Sequence, residues 1–438
     1  MARSVEFWLQ LHRNFNPHEV LVGRRSDGFY CEREDSPFHD LLDQFSFTES
    51  HFHRRTRFLT GQSGSGISSS LLRLVEQLHD RYFPIYLDIG HNLDANKANR
   101  IDVLFLLGAA IQNAATGEGL SPDPENLIAL VKSVRQLTHT ARGWQRLSET
   151  ARSAVSFGAS SLGDEKKFSE APPALPAFYS GVDDDVAQGR EIEPQVREMI
   201  NNLNLIIADV ETLAGKPVLL VADGLNKIFR QSQIENFFMD NNALQAPICN
   251  IIYAAPLSIV VCQKEDVHFL PNITPNNQSD DYHRNGSRHH PLYEVVEKRL
   301  APLNLQIGQL FDPGALELLI FKSGGLIRLF LSLISDSGKQ AELMGRDRIN
   351  FEAARKTVDN RSAVLVSRFN RKIVAELRAL RQDGRSPGSG LSPQIINSQL
   401  IVAHKSTGIR FDVHPIIWDE VFGQTMDQHH LGFEAIAR

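Results

Sequence analysis

Residues 57–74 read RFLTGQSGSGISSSLLRL, and this stretch decides the fold. Residues 57–60 have strand character and run directly into a glycine-rich turn, after which apolar residues recur with helical spacing. The turn matches the spacing G-x-x-x-x-G-K-[ST] at every position but one. Glycines there let successive backbone N–H groups surround a phosphate, and the following helix adds its N-terminal dipole. The pattern predicts a strand–loop–helix unit with a phosphate-binding loop.

The one departure from the motif is the lysine, which is replaced by Ile67. That lysine would neutralise the β- and γ-phosphates, so its loss removes charge stabilisation of a transferred phosphoryl group. Ser68 stands where a hydroxyl would bind Mg²⁺. An ordinary Gly/Ser turn before a helix is the alternative interpretation. The residues predicted to bind nucleotide are Gly61, Ser63, Gly64, Ser65, Gly66, Ile67, Ser68 and Ser69.

Several apolar runs beyond this unit alternate between strand and helix character. The runs at 82–89, 218–225 and 248–261 predict buried strands, the last of them broken by a proline. The runs at 101–115 and 191–214 predict helices. Strands that alternate with helices are typical of an α/β fold, here a P-loop NTPase with a parallel sheet flanked by helices.

Two residues outside the loop are candidates for catalysis. Asp223 ends the strand VLLVAD and is suited to hold Mg²⁺ together with Ser68. A second acid that would orient water is not evident, since Asn226 cannot act as a base. Arg328 closes the run SGGLIR, from which an arginine can reach nucleotide phosphates. The alternative for Arg328 is a surface position at a helix N-terminus, which the helix dipole does not favour.

The second half of the chain changes character. Residues from 292 onward are helical in pattern, and a Gly/Ser/Pro linker at 384–393 precedes a segment that resembles a two-stranded wing. The predicted domains are an N-terminal segment 1–50, a P-loop core 51–270 with a helical or mobile insertion at about 115–195, a helical lid 271–383, and a small winged-helix-like C-terminal module 394–438.

Composition restricts the class of protein. The net charge is −6, and the three cysteines lack the spacing of a zinc site or a disulfide framework. No signal peptide is recognisable, and no apolar run is long enough to cross a membrane. We therefore expect a soluble cytoplasmic protein without membrane contact. Histidines in polar segments are expected to be solvated rather than metal ligands; they are His283, His289, His290, His429 and His430.

The region 354–385 carries many cations. They favour either a solvated amphipathic face or a surface for nucleic acid or an acidic partner. These cations are Arg355, Lys356, Arg361, Arg368, Arg371, Lys372, Arg378, Arg381 and Arg385.

Four segments together resemble the bacterial AAA+ and STAND-like ATPases of the initiator, or origin-recognition, branch. They are RFLTGQSGSGISSSLLRL, PVLLVADGLNKI, NIIYAAPLSIVV and SGGLIRLFLSLI, and the resemblance covers about residues 35–420. It implies ATP or ADP with Mg²⁺ as cofactor and a protein partner or homo-oligomer. Such proteins are often encoded in bacterial defence systems, where nucleotide state controls assembly or an effector.

The resemblance also implies roles for individual residues. Gly61, Gly64, Gly66 and Ser68 would hold phosphate, Asp223 would be the Walker B acid, and Arg328 would take the sensor-2 position. Departures from the family pattern fall at three catalytic elements: the loop lysine is Ile67, a position that is often acidic is Asn226, and the sensor-1 strand offers only Tyr253 and alanines.

Three hypotheses follow. The first is a degenerate AAA+-like subunit that acts as a nucleotide sensor, scaffold or regulator through its partners. The second is a working ATPase whose phosphate-neutralising cation has moved to Arg57, Arg73 or Arg328. The third is a DNA-binding module that uses the basic helix and the C-terminal wing.

Restoring the lysine tests the first hypothesis. Ile67→Lys is expected to raise nucleotide affinity in a titration with Mg²⁺, because the backbone cradle is already present. An unchanged affinity would mean that the loop itself no longer has a phosphate-binding shape.

Overall fold

The computed structural model describes most of the chain apart from its middle and its C-terminal end. The described residues are 3–21, 28–33, 36–46, 55–92, 99–137, 194–228, 230–238, 243–262, 266–273, 291–382, 391–405 and 408–423. Most of the insertion predicted at about 115–195 therefore lies outside them. None of the helices in these ranges is long and apolar enough to cross a membrane.

The chain packs into two compact units. The sheet unit comprises Pro37–Thr60 and Ile67–Phe269, and the helical unit comprises Met1–Ser36, Gly61–Gly66 and Leu270–Arg438. Each unit is assembled from stretches that are separated in the sequence. The predicted domain boundaries remain a prediction. The glycine-rich loop belongs by its contacts to the helical unit, although the chain on either side of it belongs to the sheet unit.

A five-stranded sheet organises the first of these units. Its strands lie in the order β2–β3–β4–β1–β5, and the pairs β2/β3, β3/β4 and β1/β4 are parallel. Strands β3 and β4 are buried along their whole length, which explains their nearly continuous apolar sequence. The strands are β1 Thr56–Gly61, β2 Phe83–Asp88, β3 Val218–Asp223, β4 Asn250–Ala255 and β5 Val267–Leu270.

The described helices are, in chain order, α1 Val5–Asn14, α2 Phe38–Ser46, α3 Ile67–Leu78, α4 Ile89–Asn92, α5 Arg100–Gly117, α6 Pro124–Gln136, α7 Pro194–Ala214, α8 Gln231–Phe238, α9 Pro291–Leu300, α10 Ile307–Leu310, α11 Ala315–Lys322, α12 Ile327–Leu343, α13 Phe351–Val366, α14 Arg371–Gln382, α15 Pro393–Ile396 and α16 Trp418–Phe422.

Helix α5 is the central helix of the sheet unit. It packs against β2, α6 and α7, and it is apolar on nearly all sides because nearly all sides are covered. Its start is fixed by a capping box in which Asn99 and Asp102 satisfy each other's backbone N–H groups. Helix α3 buries Leu71, Leu74 and Leu78 on one face and packs against β2 and β3.

In the helical unit, α12 lies among other helices. Trp8 and Leu11 of α1 pack closely on Gly338 of α12, and α13 packs against both α11 and α12. The strands β6 Ile401–Lys405 and β7 Ile409–Val413 form an antiparallel hairpin, with α14 against β7. The predicted two-stranded element is confirmed, and the winged-helix character of the module remains a prediction.

The structure corrects one predicted strand. The run 248–261 was predicted as a strand broken by its proline, but β4 ends at Ala255, and Leu257–Cys262 form a 3₁₀ turn. Proline lacks the N–H that would continue the ladder, so the apolar residues after Pro256 pack without belonging to the sheet. Strand β5 had no sequence prediction.

The Gly324–Gly325 turn before α12 lies close to another backbone segment of the helical unit. Ile273 N–H donates to Gly325 O at 3.1 Å, and Asn272 N–H donates to Ala403 O at 2.9 Å. A Cβ atom on Gly325 would lie 1.6 Å from Ile273 O, and its φ of +75° disfavours any side chain. Only glycine therefore allows the segment after β5 to lie between this turn and the hairpin.

We expect Gly325→Ala to destabilise the protein by roughly 3 kcal/mol, because strain and overpacking act together. The matched control is Gly345→Ala, which has a φ of +66° but nothing within 4 Å of the added Cβ. The control should lower the free energy of unfolding by roughly 1 kcal/mol, because only the left-handed backbone conformation disfavours the new side chain. Urea unfolding of both variants measures the difference, and equal losses would contradict the close approach.

Candidate functional site

The glycine-rich loop adopts a turn that needs glycine at two positions. Gly64 has a φ of +100° and Gly66 a φ of +106°, and Ser65 N–H donates to Gln62 O at 3.0 Å. The chain then enters α3 at Ile67, so the first N–H groups of that helix have no partner within it. The backbone thus has the features that a phosphate-binding loop requires.

Arg328, the predicted sensor-2 residue, lies directly against this loop. Its backbone N–H donates to Gly64 O at 3.1 Å, and its Nη1 donates to Ser63 Oγ at 3.4 Å. A Cβ atom on Gly64 would be 2.9 Å from the Cβ of Arg328. The second residue of α12 therefore brings a guanidinium group to the loop. Its role towards a nucleotide remains a prediction.

A second arginine at the loop was not predicted. Arg33 is buried, with Nη1 donating to Ser65 O at 3.3 Å and Nη2 donating to Pro271 O at 2.6 Å. It lies in a short N-terminal stretch without any recognisable motif, so the sequence contains no signal for this contact.

Arg57, one of the candidates for a relocated cation, makes its described contacts within the sheet unit. Its Nε donates to Gln44 Oε1 at 2.7 Å, and its Cζ lies 4.5 Å from the ring centroid of Phe45. Burial lowers the pKa of Arg57. Arg57 is the second residue of β1, and the loop begins where that strand ends, about 13 Å further along at 3.3 Å per residue.

Gln62 connects the loop to the C-terminal hairpin. Its Nε2 donates to Ser398 O at 3.1 Å and to Ile401 O, and its Oε1 accepts from Asn272 Nδ2 at 2.5 Å. Gln62 is 2% exposed, so these hydrogen bonds replace its water contacts. The buried amide of Gln62 therefore fixes the position of the loop relative to the start of β6.

The predicted acid, Asp223, lies at the carboxyl end of β3 in the sheet unit and is 2% exposed. Its Oδ1 accepts the N–H of Gly224 at 2.7 Å, and its Oδ2 accepts the hydroxyl of Tyr86 at 2.7 Å. Both oxygens are thus engaged by protein donors. Tyr86 was not predicted, because its position in the strand run 82–89 looks like ordinary packing.

Tyr86 also meets Ser68, the other predicted Mg²⁺ ligand. Burial raises the pKa of Tyr86 well above its usual value, the negative charge of Asp223 raises it further, and a hydrogen bond from Ser68 acts in the opposite direction. The phenol therefore keeps its proton. Ser68 and Asp223, the predicted Mg²⁺ ligands, both interact with this tyrosine hydroxyl. A phenol in that position does not fit Mg²⁺ bound directly between them.

A second carboxylate lies beside Asp223, although none was predicted. Asp88 ends β2 and is the cross-strand partner of Asp223 in the parallel register. Its Oδ1 is 3.8 Å from Lys227 Nζ. Asn226, the residue noted for its lack of acidity, lies in the same 3₁₀ turn as Lys227. A second acidic residue is thus present at the same edge of the sheet, on the neighbouring strand.

The other two departures from the family pattern are buried in the core. Ile67 is 4% exposed at the start of α3, so Ile67→Lys needs a check of folding beside the affinity measurement. Tyr253 donates its hydroxyl to Leu244 O at 2.9 Å and stacks on Phe58, which makes it part of the core of the sheet unit. Its hydroxyl is not offered to a ligand.

Within the described ranges no three His, Cys, Asp or Glu side chains are grouped so that they could hold a metal ion. The five histidines discussed from the sequence lie outside those ranges, so their predicted solvation is not addressed.

Comparison with known proteins finds distant likeness only. No protein-family model matches the chain, and no curated protein matches it. Among solved structures, it is similar to the ORC2 protein of Aeropyrum pernix at 13% identity and a TM-score of 0.41, over 94% of this chain and 96% of that one. It is similar to a Walker-type ATPase of Pyrococcus abyssi at 11% identity and a TM-score of 0.42, over 93% of this chain and 99% of that one. It is also similar to a structure of Drosophila ORC bound to DNA, at 8% identity and a TM-score of 0.39, over 94% of this chain and 91% of that one.

The class of the protein follows from its own architecture. A parallel sheet flanked by helices, a glycine loop between β1 and α3, and an acid at the end of β3 define an α/β P-loop NTPase fold. The predicted fold class is confirmed. A further helical region follows the sheet in the chain, also as predicted.

Gln62→Glu tests the connection between the loop and the hairpin. The new carboxylate would face the carbonyls of Ser398 and Ile401 and could not donate to them. We therefore expect the free energy of unfolding to fall by about 2–4 kcal/mol. Hydrogen exchange at β6 amides should accelerate. The matched control is Gln309→Glu on the surface, where the side-chain oxygen accepts from Gln306 N–H and a carboxylate can replace it. Unchanged exchange in Gln62→Glu would contradict this role.

Proposed function

We propose that this protein is an AAA+-like P-loop subunit that binds ATP or ADP and acts as a nucleotide sensor or scaffold, with little or no hydrolysis. The observation that carries the proposal is the state of Asp223, whose two oxygens are occupied by the Gly224 N–H and the Tyr86 hydroxyl. A Walker B acid in an active ATPase has to engage Mg²⁺.

The loss of hydrolysis has a second cause in the loop. Phosphoryl transfer depends on cations that neutralise charge as it develops on the transferred group. Ile67 is apolar and buried where the motif has lysine. Removal of one such cationic contact costs about 3–4 kcal/mol of transition-state stabilisation, which corresponds to a rate loss of several hundredfold.

Binding of phosphate is supported by different features, which do not depend on the lysine. The glycines with positive φ shape the loop, and the N–H groups at the start of α3 have no helical partner. Arg328 and Arg33 bring two guanidinium groups to the same loop. Guanidinium groups suit phosphate because they offer several donors in one plane.

The wider role rests on the resemblance to AAA+ and STAND-like proteins. It suggests that nucleotide state controls contacts with a protein partner or with further copies of the chain. A place in a bacterial defence system belongs to the same proposal. Output chemistry would then lie in another chain.

An active ATPase is the second candidate, and one observation favours it. Asp88 stands beside Asp223 at the carboxyl edge of the sheet and could orient water in place of the missing acid. The ion pair of Asp88 with Lys227 opposes that role, because a carboxylate that faces a lysine is less available to accept a proton from water. Arg328, which contacts the loop, and Arg73, which lies on α3, are described cations that could replace the loop lysine in this alternative.

A DNA-binding module is the third candidate. Arg368, Arg371 and Lys372 are exposed on or next to α14, as a nucleic-acid surface would require. Arg378 is held by Val421 O at 2.9 Å, which reduces the number of free cations on that helix. The same exposure also fits a solvated face, so this surface favours neither interpretation.

Titration calorimetry with ATP and with ADP, together with a phosphate-release assay, tests the proposal. We expect binding of both nucleotides and no phosphate release above that of Asp223→Ala. Gly64→Ala should abolish binding, because the new Cβ would press on Arg328 and the backbone would be strained. Gly119→Ala, with a φ of +76° and nothing within 4 Å, is the matched control and should bind normally. Turnover that Asp223→Ala removes would favour the active ATPase instead.

A further inference from the structure

We infer that the hydroxyl of Tyr86 takes the place of the divalent cation between Ser68 and Asp223, so that the nucleotide binds to this protein without a metal. The part that concerns nucleotide rests on the proposed function. The part that concerns the metal stands on the geometry of the sheet unit.

The sheet places the tyrosine where this substitution is possible. Tyr86 is paired with Val221 in the parallel register, and Asp223 follows Val221 by two residues. Side chains two residues apart in a strand lie on the same face, so Tyr86 and Asp223 project from neighbouring strands on one side of the sheet. Their contact, 2.7 Å between the phenol oxygen and Oδ2, is a direct hydrogen bond.

The tyrosine satisfies both groups that a magnesium ion would satisfy. It donates to Asp223 at 2.7 Å, and the hydroxyl of Ser68, in the first turn of α3, lowers the pKa of the same phenol. Mg²⁺ requires oxygen ligands at about 2.0–2.1 Å in an octahedral arrangement. An ion bound directly to Asp223 would therefore compete with the phenol, which already donates to Oδ2 of this nearly fully buried carboxylate.

The remaining oxygen of Asp223 does not offer an easier route. Oδ1 accepts the N–H of Gly224 at 2.7 Å, in a glycine whose φ of +99° turns the chain sharply. A Cβ atom on Gly224 would lie 2.4 Å from Gly90 N, so the turn is closely packed. The neighbouring carboxylate, Asp88, has Lys227 as a counter-charge. Asp88 thus has a cationic group of the protein nearby at 3.8 Å, although its Oδ1 accepts no hydrogen bond from the described residues.

Binding of Mn²⁺ without nucleotide, followed by electron paramagnetic resonance, tests the metal part directly. The wild type should bind no more Mn²⁺ than Asp223→Asn. Tyr86→Phe removes the phenol oxygen and should gain one Mn²⁺ site, which Tyr86→Phe combined with Asp223→Asn should lose again. Tyr253→Phe is the matched control, because it removes another tyrosine hydroxyl that is hydrogen-bonded in the same sheet, and it should gain no site.

Two results would overturn the inference. One is a Mn²⁺ site in the wild type that Asp223→Asn removes. The other is a Tyr86→Phe protein that unfolds cooperatively like Tyr253→Phe and yet binds no additional Mn²⁺.

A second measurement connects the inference to nucleotide. ADP affinity of the wild type should change less than about twofold between Mg²⁺ and EDTA, whereas Tyr86→Phe should bind ADP about tenfold more tightly with Mg²⁺. A wild-type affinity that falls tenfold in EDTA would overturn metal-free binding. Absence of ADP binding in all conditions would count against the proposed function, while the Mn²⁺ result would still decide the role of Tyr86.

Discussion

The structure around the loop depends on one constraint, which is that the carbonyl groups of its tight turn must find donors. Gly64 O accepts from the backbone of Arg328, and Ser65 O accepts from the guanidinium of Arg33. An unpaired buried carbonyl costs about 1–3 kcal/mol, so both contacts matter for folding whether or not a ligand binds. The two arginines are therefore part of the architecture of this turn, whose shape does not depend on a lysine at position 67.

Asp223 presents the corresponding constraint in the sheet unit. A buried carboxylate without partners is costly, and hydrogen bonds to a charged group stabilise by about 1.5–3 kcal/mol each. Tyr86 and Gly224 supply two such bonds. The acid is thus stable in the fold without a cation. Retention of an aspartate at the end of this strand does not by itself imply metal-dependent chemistry.

The sequence was informative where the signal is local. The strand–loop–helix unit and the buried strand that ends at Asp223 were recognisable from runs of apolar residues and from spacing. The end of β4 was not, because apolar residues continue beyond Pro256 into a 3₁₀ turn that packs equally well. Tyr86 meets Asp223 across 137 residues and Arg33 meets Ser65 across 32. Neither contact has a local pattern, since each depends on tertiary packing.

The loss of the lysine and the position of Tyr86 have a common electrostatic consequence. A lysine and a divalent cation together would supply most of the positive charge that a triphosphate requires, and the acid would be neutralised by the metal. On the proposed function, with Ile67 and Tyr86 in those roles, the attraction would come from backbone N–H groups and from guanidinium groups that already have protein acceptors. A ligand would then compete with Ser63 for Arg328. Such competition would weaken binding and link it to the position of α12, which suits the proposed sensing of a nucleotide better than its hydrolysis.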